Sequence, residues 1–263
     1  MSDLSLNEFY KEVAKLTSHD LVKQKMLLPP DTIQELCATH CRTHRPAAES
    51  LLSSGDVRAN KKIEHFLSVL QKAYPGEGVV IADFKHLELA QSMENLASAL
   101  AVNTEKHFFE GSASHLTGIT HLVKKPVIRW DFIIDEYQLQ QSKLWGADAV
   151  RLTVALLDQS ELIKFCQTAA ALELEVIAEI HDQNELERII NLDNISAVYI
   201  KNDNLSDKDI QALLLQIPAD TPALLSINSW LNSADKKFCC DSLVLDHSSY
   251  STANGVKKLR ESL

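Results

Sequence analysis

From residue 79 onward the chain alternates between short apolar runs and amphipathic segments. The runs fall at 79–84, 99–102, 127–130, 149–152, 175–180, 197–200, 223–226 and 242–245. Segments with helical spacing of apolar residues separate most of them, at 136–143, 159–172, 183–190, 207–215, 232–239 and 252–262. An alternation with a period of about twenty-five residues predicts a parallel sheet, because parallel neighbours need a crossover that a helix supplies. The fourth to sixth runs are nearly continuous in apolar residues, as strands covered on both faces require. Eight such units fit a closed (β/α)8 TIM barrel, whose usual size is ~250 residues. A doubly wound open sheet competes, since the period alone does not separate the two architectures.

Ahead of the alternation the chain reads as helical. Residues 6–15, 32–41 and 61–72 place apolar side chains at helical spacing. Pro29 and Pro30 interrupt the first two, with Asp31 as the expected N-cap. The turn Pro-Gly-Glu-Gly at 75–78 closes this region. The expected organisation is one domain over 1–263. Residues 1–75 form an additional N-terminal helical arm packed on the barrel, and 79–263 form the barrel itself.

Composition excludes several functions. Lys plus Arg is 26 against 36 Asp plus Glu, a net charge of −10. That disfavours nucleic acid and anionic lipid as partners, since both need a cationic face. No apolar run approaches the ~18 residues of a membrane span, and the charged, amphipathic start is unlike a secretory signal. Five cysteines, an odd number, point to reduced thiols and a cytoplasmic location. Only seven glycines occur, and none between Gly146 and Gly255. A glycine-rich phosphate cradle in that stretch is therefore excluded.

In a barrel, functional groups project from the C-terminal ends of the strands. Those ends carry Asp83-Phe84-Lys85, Arg129-Trp130-Asp131, Glu179 with His181, Lys201-Asn202-Asp203-Asn204, Ser226-Ile227-Asn228-Ser229 and Asp246-His247-Ser248. Period-2 alternation places Asp83 and Lys85 on one face. Two acids and an amine at one mouth suit proton transfer, though Lys85 is equally well explained as the ion-pair partner of Asp83 or Glu179. Cys37, His40, Cys41 and His44 share one helix face at i, i+3, i+4 and i+7. One helix cannot wrap four ligands around a tetrahedral ion, so packing against the barrel is the expected role. No metal and no cofactor is expected. Cys239-Cys240 reads as helix-end packing.

The stretch 125–152, KPVIRWDFIIDEYQLQQSKLWGADAVRL, closely resembles the third and fourth strands of the indole-3-glycerol phosphate synthase family. EVIAEIHDQNELER at 175–188 is similar to that family's fifth strand and following helix, NTEKHFFEGS at 103–112 to its loop after strand 2, and VVIADFK at 79–85 to strand 1. The resemblance covers about residue 61 to the C-terminus. It implies a TIM barrel with N-terminal helices closing over it. The implied reaction, a step of tryptophan biosynthesis, is the decarboxylating closure of an indole ring on a phosphorylated anilino-deoxyribulose.

Carried across by position, the family's inventory is incomplete here. Its first-strand Glu falls on Asp83, its first-strand Lys on Lys85 and its fifth-strand Glu on Glu179. The third-strand Lys, the family's general acid, is Trp130, within a motif whose Arg129 and Phe132 border the substrate. The sixth-strand Asn falls on Lys201, and the Arg two residues on falls on Asp203. The seventh-strand Ser-Glu-Ser-Gly becomes Ser226-Ile227-Asn228-Ser229, and the glycine ending strand 8 becomes Asp246, next to His247. A carboxylate there repels a phosphate dianion, and loss of one general acid lowers a rate by ~10²–10⁴. The loop after strand 1 is short, removing a phosphate contact and a lid.

Three functions follow from the resemblance. The first is a diverged member with little or no synthase activity and a binding or regulatory role toward a small molecule or a protein. The second is an active or specialised synthase using Lys85, Glu179, Asp83, Lys201 and Asn228, with Arg129, Trp130, Phe132, Ser229, Asp246 and His247 around the substrate. The third is a lyase or aldolase on another small substrate, using Lys85 or Lys201 with Glu179.

Overall fold

The structure, a computed structural model, describes residues 5–43, 78–84, 87–94, 96–201, 205–226 and 240–245. The helices expected at 61–72, 232–239 and 252–262 lie outside these residues. Helix α1 spans Leu6–Leu27 and opens with a reciprocal cap. Ser5 accepts the Glu8 N–H, and the Glu8 carboxylate accepts the Ser5 N–H at 2.9 Å. It runs well past the expected residue 15, because nothing before Pro29 breaks it. Helix α2 spans Pro30–Thr43. The Pro29 carbonyl accepts the Ile33 N–H at 3.0 Å, so Pro30 takes the first helical position, which its missing N–H and fixed φ suit. Asp31, expected as the cap, sits in the first turn instead, where a negative charge favours the helix dipole.

The alternating region then follows the expected order. It comprises β1 (Gly78–Phe84), α3 (Ala90–Glu94), β2 (Ala99–Asn103), α4 (Ala113–Leu122), β3 (Val127–Trp130), α5 (Glu136–Leu144), β4 (Ala149–Thr153), α6 (Gln159–Ala171), β5 (Glu175–Ile180), α7 (Gln183–Ile189), β6 (Ala197–Ile200), α8 (Asp207–Leu214), β7 (Ala223–Ser226) and β8 (Ser242–Leu245). Neighbouring strands pair in sequence order and in parallel, and β8 pairs back to β1 through Gly78↔Ser242 to Ile81↔Leu245. The sheet therefore curls into a ring with no open edge, which excludes the doubly wound alternative.

Helix α4 has no counterpart among the expected elements. Its sequence, ASHLTGITHL, mixes Gly118 with two threonines, all weak helix formers. Tertiary contacts override that preference. Ser112 caps the first turn, Leu116 and Ile119 are fully buried, and a Cβ on Gly118 would come within 2.5 Å of the Leu87 side chain.

Strand alternation sorts the core into two layers. Outward residues such as Leu100, Val102, Val150, Leu152, Val176 and Ile180 join the helices in one cluster. Inward residues form a second cluster that holds Ala99, Ala101, Ala149 and Ala197 together with two large rings, Trp130 and Tyr199. The ring centroids lie 5.5 Å apart. Four methyl-sized neighbours leave the volume that the indole and phenol fill, as close packing demands.

The arm is fastened to the α5 side of the ring. The Tyr137 hydroxyl donates to the Leu28 carbonyl at 2.8 Å, Lys25 pairs with Asp135 at 2.6 Å, and Gln141 donates to Gln24 at 2.9 Å. Cys37 is buried there and donates to the Gln140 carbonyl, a packing role. The side chains of His40 and Cys41, and all of His44 and Cys239, lie outside the described residues, whereas Cys240 is buried. Among the described residues, no helix is long and apolar enough to cross a membrane.

Candidate functional site

Of the expected site residues, Glu179, Lys201, Arg129, Trp130 and Phe132 are described with their side chains. Lys85, Asn228, Ser229, Asp246, His247 and Asp203 lie outside the described residues, as does the Asp83 side chain. The β1 backbone carries one irregularity. Ile81 pairs with Leu100 but Phe84 with Val102, so three steps on β1 match two on β2. An extra residue of this kind resets the alternation, and a simple period-2 count does not run through β1.

Glu179 stands on β5 with its carboxylate fully buried. Its register partner on β4 is Thr153, whose hydroxyl donates to it at 3.3 Å. The principal partner is Arg151 of β4, whose Nη1 donates to Glu179 Oε2 at 2.9 Å from a guanidinium that is itself buried. Burial pushes the Glu179 carboxyl up. The charges of Arg151, Lys201 and His181 and the Thr153 hydroxyl outweigh it, and the group is held below the usual carboxylate range. Lys201 follows β6, its N–H donating to the Ile180 carbonyl at 3.0 Å.

The Arg151 guanidinium lies 4.5 Å from the centre of the Trp130 ring and 5.0 Å from that of Phe132. The interior cation that the resemblance places at position 130 thus comes from the next strand. Arg129 is a correction. Expected beside the substrate, it alternates outward between the inward Ile128 and Trp130. It donates to the Gln138 carbonyl at 2.8 Å and to Asp131 Oδ2 at 2.8 Å, and stacks 4.6 Å from the Trp145 ring. It ties β3 to α5 behind the sheet and does not reach the mouth.

The mouth beside Glu179 is covered from α1. Tyr10 places its hydroxyl 2.8 Å from His181 Nε2 and 3.5 Å from Glu179 Oε1. Its ring meets Phe132 and His181 edge-on, at centroid distances of 6.1 and 5.7 Å. His181 Nδ1 lies 3.1 Å from Glu185, which also accepts the His181 N–H at 2.8 Å. Burial, reinforced by the Glu179 charge, pushes the Tyr10 hydroxyl far above the ordinary phenol range, so it stays protonated.

The loop after β2 completes this wall. Buried Glu105 accepts the N–H groups of His107, Phe108 and Phe109 at 2.8, 2.7 and 3.2 Å. That turn presents Phe108 to Phe9 and Phe109 to Phe132. The chain returns through Gly111, where a Cβ would lie 2.6 Å from the Asn103 oxygen and 2.7 Å from the Glu105 oxygen. Both obstacles are backbone, so Gly111→Ala should lower the unfolding free energy by about 1–3 kcal/mol, read as an earlier midpoint in a urea titration.

The family profile described as indole-3-glycerol phosphate synthase matches residues 19–217. The chain belongs to this family. Named relatives include the synthase of Chlorobium phaeovibrioides, 43% identical over 54% of this chain and 55% of that protein. That of Neisseria meningitidis serogroup C is 33% identical over 71% and 70%. That of Caldanaerobacter subterraneus subsp. tengcongensis is 31% identical over 80% and 79%. The chain thus spans about half the length of the Chlorobium relative. Among solved structures, orotidine 5'-monophosphate decarboxylase from Methanocaldococcus jannaschii, complexed with the inhibitor BMP, superposes with a TM-score of 0.54. It covers 72% of this chain and 99% of its own at 12% identity, a likeness of fold alone.

Within the family frame, two groups central to this site escaped sequence reasoning. Arg151 had a visible signal, a charge within the apolar run AVRLT. Tyr10 had none, because only the fold brings a residue 169 positions upstream to Glu179.

Proposed function

We propose that this chain is a diverged family member with little or no ring-closing activity, acting as a small-molecule-binding or regulatory protein on a complete (β/α)8 barrel. The observation that carries the reading is the Trp130 indole packed inside the ring against Arg151, at the position where the resemblance puts an ammonium. An indole offers no useful acid, and a guanidinium keeps its proton throughout the working pH range. Glu179 supports the same reading. An ionised carboxylate with zero exposure, paired with a buried arginine, is poorly placed to move protons to or from a substrate.

The test is turnover of the anilino-deoxyribulose phosphate, followed by indole fluorescence beside a working relative. The expected rate falls short by at least ~10²–10⁴-fold, the usual consequence of a missing general acid. A rate within tenfold of the relative would overturn the reading.

A further inference from the structure

We propose that Tyr10 is a built-in occupant of an aryl-binding subsite, so that α1 acts as an intramolecular ligand that keeps the mouth closed to aromatic compounds. The inference rests on reading the mouth as the ligand site and names its regulation. The geometry is that of a bound phenol. One end of the Tyr10 ring carries a hydroxyl 2.8 Å from His181 Nε2 and 3.5 Å from Glu179. The flank of the ring meets Phe132 edge-on, and Phe9 and Val13 of the same helix complete the apolar side. His181 is held from its other side, with Nδ1 3.1 Å from Glu185, so that Nε2 faces the Tyr10 hydroxyl. A planar aromatic bearing one hydroxyl or amine hydrogen would satisfy every one of these groups.

Polar ties some distance from the subsite hold the occupant in place. Asp20 of α1 pairs with His107 at 2.6 Å and with Lys106 at 2.9 Å, both on the loop after β2. These ties are partly exposed, with Lys106 at 55% and His107 at 31%, so salt weakens them. The helix thus combines a buried anchor with a solvent-facing tether. An occupant of the subsite reduces outside affinity by the fraction of molecules whose site stands open.

The test is calorimetric titration of the full chain with 4-methylphenol and with indole. Tyr10→Ala should bind them at least about tenfold more tightly than wild type, while Tyr10→Phe, which keeps the ring, gains less. Asp20→Asn, which changes no residue that touches the Tyr10 ring or hydroxyl, should also tighten probe binding, and added salt should narrow its lead over wild type. It carries the test if Tyr10→Ala fails to fold. Equal affinity of wild type and Asp20→Asn, or an equal gain in Tyr10→Ala and Tyr10→Phe, would overturn the proposal. Neither result touches the reading of low synthase activity, which only turnover overturns.

Discussion

Arg151→Leu lowers the unfolding free energy by about 3–5 kcal/mol, because it strands an ionised Glu179 where no water reaches it. The loss is a property of the broken pair. Arg151→Leu combined with Glu179→Leu should recover most of it, since exchanging a whole buried pair for apolar side chains is close to neutral. Denaturant titrations of the four proteins in this cycle measure the coupling, and simple additivity would contradict the account. The pH dependence has a definite sign. A carboxylate held low in the native state stabilises fully above its unfolded value of about 4.3 and loses that contribution as pH falls through the native value. The gap between wild type and Arg151→Leu therefore narrows in acid, and Glu179→Gln removes this part of the acid sensitivity.

Trp130→Lys is expected to be as damaging, at about 3–5 kcal/mol. It replaces the indole with a thinner chain that leaves part of its volume unfilled, and sets an ammonium beside the Arg151 guanidinium, which now lies 4.5 Å from the ring centre. The same substitution should be milder once Arg151→Leu is present, because the introduced ammonium then meets Glu179 without the guanidinium beside it. A coupling of about 0.5–3 kcal/mol in that direction is the expected range for residues in contact. The combined variant, not Trp130→Lys alone, is the background in which a faster ring closure than wild type would be sought. Equal costs in both backgrounds would show that positions 130 and 151 do not share one site.

Much of the ring was legible because buried parallel strands announce themselves as short apolar runs. Strands β3, β5, β6, β7 and β8 begin and end where those runs do. Helix α4 was not legible, since Gly118 and its threonines oppose a helix locally and Leu87 packing reverses the outcome. The site was read in part. Glu179 follows from the motif around it, and the substitution at Trp130 is visible in the resemblance. The direction in which Arg129 points depends on alternation within a four-residue strand, and the cover from Tyr10 depends on how a distant helix lies. Alternation decides Arg129 only once the packing of Ile128 and Trp130 sets the phase of the strand, and the cover from Tyr10 has no local signal at all.

The four alanines that share the inner cluster with Trp130 and Tyr199 have a consequence for substitution. Side chains this small suit only a large neighbour, and Arg151 is at ease only while the neighbour is a neutral ring. A chain with this interior does not accept a lysine at position 130 as a lone substitution, because that step both thins the packing at the centre and crowds two cations. Tolerated exchanges at position 130 are thereby confined to those that keep a ring in place, and a lysine there calls for a change at position 151 as well.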